Sequence, residues 1–101
     1  MGRRKKVIER SFPDIDAFHD FIALERGWMF DNIVQAIKNR NTHKVVDIFK
    51  AMIEDRNTLI SVQTSDYEWK QTLKLALEYY INTEEYEKCV EVKDLLLSLN
   101  V

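Results

Sequence analysis

Apolar residues recur at helical spacing through the first third of the chain. The first such positions are Ile15, Phe18 and Ile22. They lie three and four residues apart, as residues on one face of an α-helix do. Pro13 suits the first turn of a helix, because its missing N–H leaves no hydrogen bond unmade there. The pattern predicts a helix that begins near Pro13 and breaks or bends at Gly27, followed by a second helix that ends near Asn39.

The middle of the chain continues the same type of pattern. Its apolar positions are Val45, Val46, Phe49, Met52 and Ile53. A polar turn precedes them, in which Thr42 is a suitable N-cap. We therefore predict a third helix over about 43–55. The segment that follows, 57–64, concentrates β-favouring residues, and it is interpreted as either a short strand or an extended loop against the core.

Two more helices are predicted toward the C-terminus. Ser65 and Glu68 have the spacing of a capping box, so a helix is expected to begin there and to run to about Ile81. Thr83 is the expected N-cap of the last helix, which spans about 84–99. The buried face of that helix is predicted to hold Cys89, Val92, Leu96 and Leu99. The two helices then form a hairpin at about 68–99.

The segments 33–54 and 68–99 partly match each other. Both read as a helix, a polar turn and a second helix, which predicts two αα-hairpins of one design; the alternative is that any two amphipathic hairpins align this well.

The sequence has only two glycines and one proline, and so few turn residues disfavour a many-stranded fold. We therefore predict an all-α fold of four to five short helices, with the two αα-hairpins packed as a small bundle in one domain over 11–101.

Positive charge is concentrated at the start of the chain. Residues 1–10 contain one acid, Glu9, and the basic residues Arg3, Arg4, Lys5, Lys6 and Arg10. The whole chain has a net charge of −2, so the remainder is acidic. This basic N-terminal arm is either a solvated tail or a contact for nucleic-acid phosphates, which would make the protein a nucleic-acid-binding regulator. A short chain with this distribution of charge would also suit a phage-encoded modulator of a host machine.

The sequence offers little material for catalysis or for metal binding. His19 and His43 have no second histidine or cysteine at ligand spacing, and the single cysteine, Cys89, lies in an apolar stripe. We expect no enzymatic activity, no cofactor, no metal and no small-molecule substrate. No apolar run is long enough to cross a membrane, so no membrane partner is expected. The lone cysteine and the lack of a leader favour a reducing, cytoplasmic setting.

The last quarter of the chain carries a recognisable pattern. Leu77-Glu78 and Ile81 precede an acidic turn, and the positions after the turn are Tyr86, Glu87, Cys89, Val90, Val92, Lys93, Asp94, Leu96 and Leu99. Residues 77–99 resemble the UVR motif, a helical hairpin of the bacterial excision-repair proteins UvrB and UvrC and of several Clp-type adaptors and regulators. Cys89 and Val90 replace two small alanines of that motif, and Lys93 replaces an arginine whose bidentate contacts lysine cannot make. The resemblance implies docking onto a second copy of the hairpin in a partner, and it implies no chemistry.

The sequence thus favours a small non-catalytic protein-interaction module, an adaptor or a regulator. It is expected to dock through its C-terminal hairpin, either onto a partner protein or onto a second copy as a homodimer. The predicted contact residues are Tyr79, Tyr86, Lys93, Asp94 and Leu97. Leu97 is included because it falls outside the buried stripe, and Tyr79 because it is turned about 100° from Tyr80 on the helix.

Overall fold

The fold combines helices with a β-sheet, so the all-α prediction is wrong. A computed structural model describes residues 7–99. Within this range the elements are β1 (Glu9–Phe12), α1 (Ile15–Leu24), α2 (Arg26–Lys38), β2 (Val45–Ile53), β3 (Thr58–Ser65), α3 (Asp66–Asn82) and α4 (Tyr86–Leu99). A 3₁₀ turn over Glu54–Arg56 joins β2 to β3. The strands form one mixed sheet, and the helices pack against one face of it.

The central strand of the sheet is β2. It pairs with β1 in parallel and with β3 in antiparallel orientation, so the strand order is β1-β2-β3. Ala51 illustrates the register, since it lies opposite Arg10 of β1 and Ile60 of β3. Parallel neighbours cannot be joined by a tight turn, and helices α1 and α2 supply the crossover between β1 and β2.

The predicted third helix over 43–55 is wrong, because these residues form β2. The strand contains a bulge between Asp47 and Phe49, at which Ile48 is an extra residue. The bulge changes the inward alternation, and the side chains of β2 that contribute to the core are consequently Val46, Ile48, Phe49, Ala51 and Ile53. Thr42 lies exposed in the turn before β2, so it is not a helix N-cap. The predicted hairpin at 33–54, and with it the proposed repeat, is also wrong.

The segment 57–64 falls almost entirely within β3, so the strand alternative is the correct one. Asn57 precedes the strand with a φ of 48°, in the left-handed region that asparagine tolerates better than most residues. Glycine and proline are therefore not needed for this turn. A sheet of three strands needs few turns, so it is compatible with the scarcity of glycine and proline.

Several helix boundaries match the sequence signals. Helix α1 begins at Ile15, two residues after the expected start near Pro13, and its N-cap is Asp14, whose carboxylate accepts a hydrogen bond from the Ala17 N–H at 2.8 Å. The break between α1 and α2 falls at Glu25, two residues before the expected Gly27. The Ser65–Glu68 capping box is confirmed, with the Ser65 N–H donating to the Glu68 carboxylate at 2.9 Å.

The core lies between the sheet and the helices. Its aromatic part joins β1, both crossover helices and β2 through Phe12, Phe18, Phe21, Trp28 and Phe49. The remaining part is formed mainly by α2, α3 and α4, where Ile37, Leu73, Tyr80 and Val92 are almost fully buried. Alternate residues of β3, namely Leu59, Ser61 and Gln63, point to the opposite face of the sheet and are exposed.

Candidate interaction surface

The predicted C-terminal hairpin is formed by α3 and α4. Cys89 and Val92 of α4 are buried, and Leu96 and Leu99 pack against the same core. Thr83 lies at the C-terminal end of α3, where its hydroxyl donates to the Tyr79 carbonyl at 3.1 Å. It is therefore not the N-cap of α4, and that prediction is wrong. The chain reverses at Glu84, which has a φ of 60°.

Charged side chains fix α4 against α2. The Lys88 ammonium lies 3.0 Å from an Asp31 carboxylate oxygen and 2.8 Å from one of Glu85. Lys38 forms a second pair with Glu91 at 2.7 Å. These pairs are partly exposed, so each adds little stability.

The electrostatics of this network follow from its geometry. Hydrogen bonds from Lys88 and Thr83 lower the pKa of the Glu85 carboxyl below its ordinary value. Glu85 and Asp31 together raise the pKa of the Lys88 ammonium. Burial, reinforced by the hydrogen bond to Asp31, raises the pKa of the Tyr80 phenol. Glu85 and Lys88 therefore both stay charged over the neutral pH range, which suits a structural link.

The outward side of α4 carries a line of large apolar side chains. Tyr86, Val90 and Leu97 are 61%, 60% and 68% exposed. At helical geometry, these three positions fall within about 40° of one another. Lys93 lies on the same line, and Asp94 lies beside it and is also exposed. We call Tyr86, Val90, Lys93 and Leu97 the outer stripe of α4.

Four of the five predicted contact residues are brought together by this helix. The fifth, Tyr79, is not part of the outer stripe. It is half-buried, with its ring centroid 5.3 Å from that of Phe30, and its hydroxyl fits against Gly27. Val90 is the residue that sequence reasoning missed. Its spacing of four from Tyr86 and seven from Leu97 was the available signal.

A shallow depression of about 360 Å³ lies beside the outer stripe. It lies between the C-terminal end of α2 and α4, and its lining residues are Lys38, Glu87, Val90, Glu91, Asp94 and Leu95. Glu91 is already paired with Lys38. Glu87 and Asp94 therefore give this border of the stripe an acidic character.

The predicted basic arm is only partly within the described range. Arg3, Arg4, Lys5 and Lys6 lie outside the described residues. Glu9 and Arg10 belong to β1, inside the range predicted as an arm. The Arg10 guanidinium lies 4.6 Å from the Phe21 ring centroid and 5.2 Å from that of Trp28, as in cation–π contacts. Nucleic-acid binding through the arm stays a prediction.

The remaining candidates for chemistry are dispersed. His19 is exposed on α1, His43 is exposed before β2, and Cys89 is buried. Among residues 7–99, no cluster of three or more His, Cys, Asp or Glu side chains is arranged to hold a metal ion. Over the same residues, none of the helices combines the length and the apolar character needed to span a membrane.

Comparisons with protein-family models, with curated proteins and with solved structures find no match to this chain. The resemblance of residues 77–99 to the UVR motif accordingly stays a prediction.

Proposed function

We propose that this protein is a non-catalytic interaction module, an adaptor or regulator, that docks onto a partner protein through the outer stripe of α4. The observation that carries this proposal is the alignment of Tyr86, Val90 and Leu97, all more than half exposed, on one face of a helix. Single exposed apolar residues are ordinary, whereas an aligned group rimmed by charge is typical of an interaction site.

The shape of the stripe suits a helical partner. From Tyr86 to Leu97 the stripe is about 16 Å long, which corresponds to roughly three helical turns. An amphipathic helix that presents apolar residues at matching intervals can lie along it. Tyr86 is the expected anchor, because aromatic residues contribute strongly to interfaces.

The charges beside the stripe indicate which helix would fit. Glu87 and Asp94 lie on one side and are exposed. The partner helix is therefore expected to carry basic residues along the edge that meets these carboxylates. Complementary charge of this kind mainly sets the association rate and the orientation of docking.

The test uses synthetic peptides and matched variants of the whole chain. The probe is an amphipathic helical peptide with a leucine face and lysines along one edge, and the control peptide carries glutamates in place of the lysines. We expect amide NMR shifts from the lysine peptide to concentrate on 86–97. Val90→Asp combined with Leu97→Asp should weaken binding by at least about tenfold. Leu75→Asp changes a 50% exposed residue of α3 outside the stripe and should bind normally.

Circular dichroism of each variant separates lost docking from lost folding. Unchanged binding by the Val90/Leu97 double variant would remove the outer stripe from consideration. Equal binding of the two peptides would contradict the role given to Glu87 and Asp94. A pull-down from a native extract, repeated with the double variant, would then identify which natural partner depends on the stripe.

A further inference from the structure

The two outer strands of the sheet differ in how their edges are protected. The β1 edge is four residues long, contains Glu9 and Arg10, and is followed by Pro13. Strand β3 is eight residues long and contains no charged residue, proline or glycine. Natural proteins usually protect a sheet edge by such features, and β3 has none of them. Its edge is therefore suited to pairing with another strand.

The register identifies which backbone groups of β3 point outward. The Lys50 N–H donates to the Ile8 carbonyl at 2.8 Å, so the backbone groups of Lys50 face β1. By alternation, the backbone groups of Phe49 and Ala51 face β3, where they meet Val62 and Ile60. The N–H and C=O groups of Leu59, Ser61 and Gln63 then point to the outer edge. Among residues 7–99, no strand pairs with that edge.

The capping box limits the free edge at its C-terminal end. Ser65 is next in the outward alternation, but its N–H already donates to the Glu68 carboxylate at 2.9 Å. At the other end, Asn57 leaves the extended conformation. The usable outward positions are consequently Leu59, Ser61 and Gln63, which are symmetric about Ser61.

We infer that β3 pairs with β3 of a second copy of this chain, antiparallel and centred on Ser61. In this register Ser61 lies opposite Ser61 of the second copy, and Leu59 lies opposite Gln63 of the second copy in both directions. All the usable outward groups are then hydrogen-bonded. A shift of the pairing by two residues in either direction also preserves the faces of the sheet. It places Leu59 opposite Ser65, or Gln63 opposite Asn57, which lies outside the strand.

The side chains support the same register. Ile60 of one copy lies opposite Val62 of the other on the core face, and both residues are half-buried at the margin of the core. A β-branched pair at this position gains burial and cross-strand contact. The pairing extends the sheet and keeps the helices of both copies on one face.

This dimer is independent of the proposed docking function. The outer stripe lies on α4, and the pairing surface lies on β3. A dimer formed in this way would present two stripes, and it would gain avidity for a partner with two matching helices.

The test places charges at the centre of symmetry. Ser61→Lys and Ser61→Glu each bring two like charges together, because the residue faces its own copy. We expect the wild-type chain to dimerise with rising concentration in sedimentation equilibrium, and each variant alone to have its dimer Kd raised about tenfold or more. Mixing the two variants should restore the dimer as a heterodimer, which also shows that both variants are folded. Gln71→Lys adds the same charge at an exposed position of α3 and should dimerise like the wild type.

Other outcomes overturn the inference. These are a wild-type chain that stays monomeric at every accessible concentration, a dimer unaffected by Ser61→Lys, or a mixture of the two variants that stays monomeric. A dimer that is lost with Val90→Asp and Leu97→Asp but kept with Ser61→Lys would assign self-association to α4 instead. Ser61→Lys should still bind the lysine peptide, so failure of the dimer and failure of the docking proposal are distinguishable.

Discussion

The Tyr80 hydroxyl donates a 2.7 Å hydrogen bond to the Asp31 carboxylate, and this contact joins α3 to α2. Asp31 also accepts from the Lys88 ammonium at 3.0 Å, so one carboxylate connects three helices. The Tyr80 ring is 1% exposed, while the Asp31 side chain is 44% exposed. A buried donor is thus satisfied by an acceptor at the surface. Removal of the Tyr80 hydroxyl therefore leaves the Asp31 carboxylate accessible to water.

Tyr80→Phe should lower the free energy of unfolding by about 1.5 kcal/mol, the lower end of the range of roughly 1.5–3 kcal/mol for a hydrogen bond to a charged group. The loss stays moderate because Asp31 keeps Lys88 and can be solvated, and because phenylalanine retains the ring packing. Urea denaturation measures the change. Tyr67→Phe alters a tyrosine that is 83% exposed and should leave the midpoint unchanged. Equal midpoints for Tyr80→Phe and the wild type would contradict a structural role for this bond.

The raised pKa of Tyr80 predicts a loss of stability at alkaline pH. The folded state holds the phenol proton, whereas the unfolded chain releases it near the ordinary tyrosine pKa of 10.0. The contribution is therefore fully present below pH 10 and is lost as the pH rises above it. Urea midpoints measured from neutral pH upward should therefore decrease once the pH rises above about 10.

Lys88 acts in the same direction as Tyr80. Its raised pKa means that the folded state favours the protonated ammonium, so this contribution to stability is also lost as the pH rises. Its effect is small because the side chain is 41% exposed. Tyr80→Phe should remove most of the alkaline dependence, and Lys88→Met should remove only a minor part. If the ranking of these two variants were reversed, the alkaline effect would belong to the salt bridges.

Gly27 and Tyr79 should be energetically coupled. A β-carbon added at Gly27 would lie 2.7 Å from the Tyr79 hydroxyl oxygen, which is too close for an unmoved ring. Gly27→Ala normally stabilises a helix by roughly 0.5–1 kcal/mol, but here the gain is offset by displacement of Tyr79. We expect Gly27→Ala to be neutral or destabilising alone and stabilising when Tyr79→Phe is also present.

A double-mutant cycle by urea denaturation measures the coupling between these positions. Additive effects would show that Tyr79 moves away freely.

Tyr79→Asp is a poor probe of partner binding, because Tyr79 is half-buried. A charge at this half-buried position would disturb its packing against Phe30.

The helices could be predicted from the sequence because their signals are local. Ser65 and Glu68 act through hydrogen bonds within one turn, and a single sequence contains both participants. Strand β2 could not be found in the same way. Its bulge at Ile48 interrupts the alternation. Val46 and Phe49 are three residues apart and both contribute to the core, with the buried Ile48 between them, and this spacing resembles a helix more than a strand.

Other signals for β2 were present but less prominent than its period. Val45, Val46, Ile48 and Ile53 are β-branched, which favours a strand and slightly disfavours a helix. Strand β1 could not be predicted from the sequence for two other reasons. Its four residues are too few to show alternation, and they pair with residues of β2 that are distant in sequence. The outer stripe was largely predictable, since residues on one helix share a face wherever that helix packs.

Of the three N-caps predicted from the sequence, Ser65 and Thr42 have opposite outcomes in the structure. Ser65 caps α3, whereas Thr42 precedes a strand and lies exposed in a turn. Ser65→Ala should therefore cost about 1 kcal/mol of stability, as the loss of an N-cap usually does. Thr42→Ala should stay within roughly 0.5 kcal/mol of the wild type, as most exposed substitutions do. Urea midpoints at equal slope report both, and a substantial cost for Thr42→Ala would contradict its assignment to an exposed turn without a capping role.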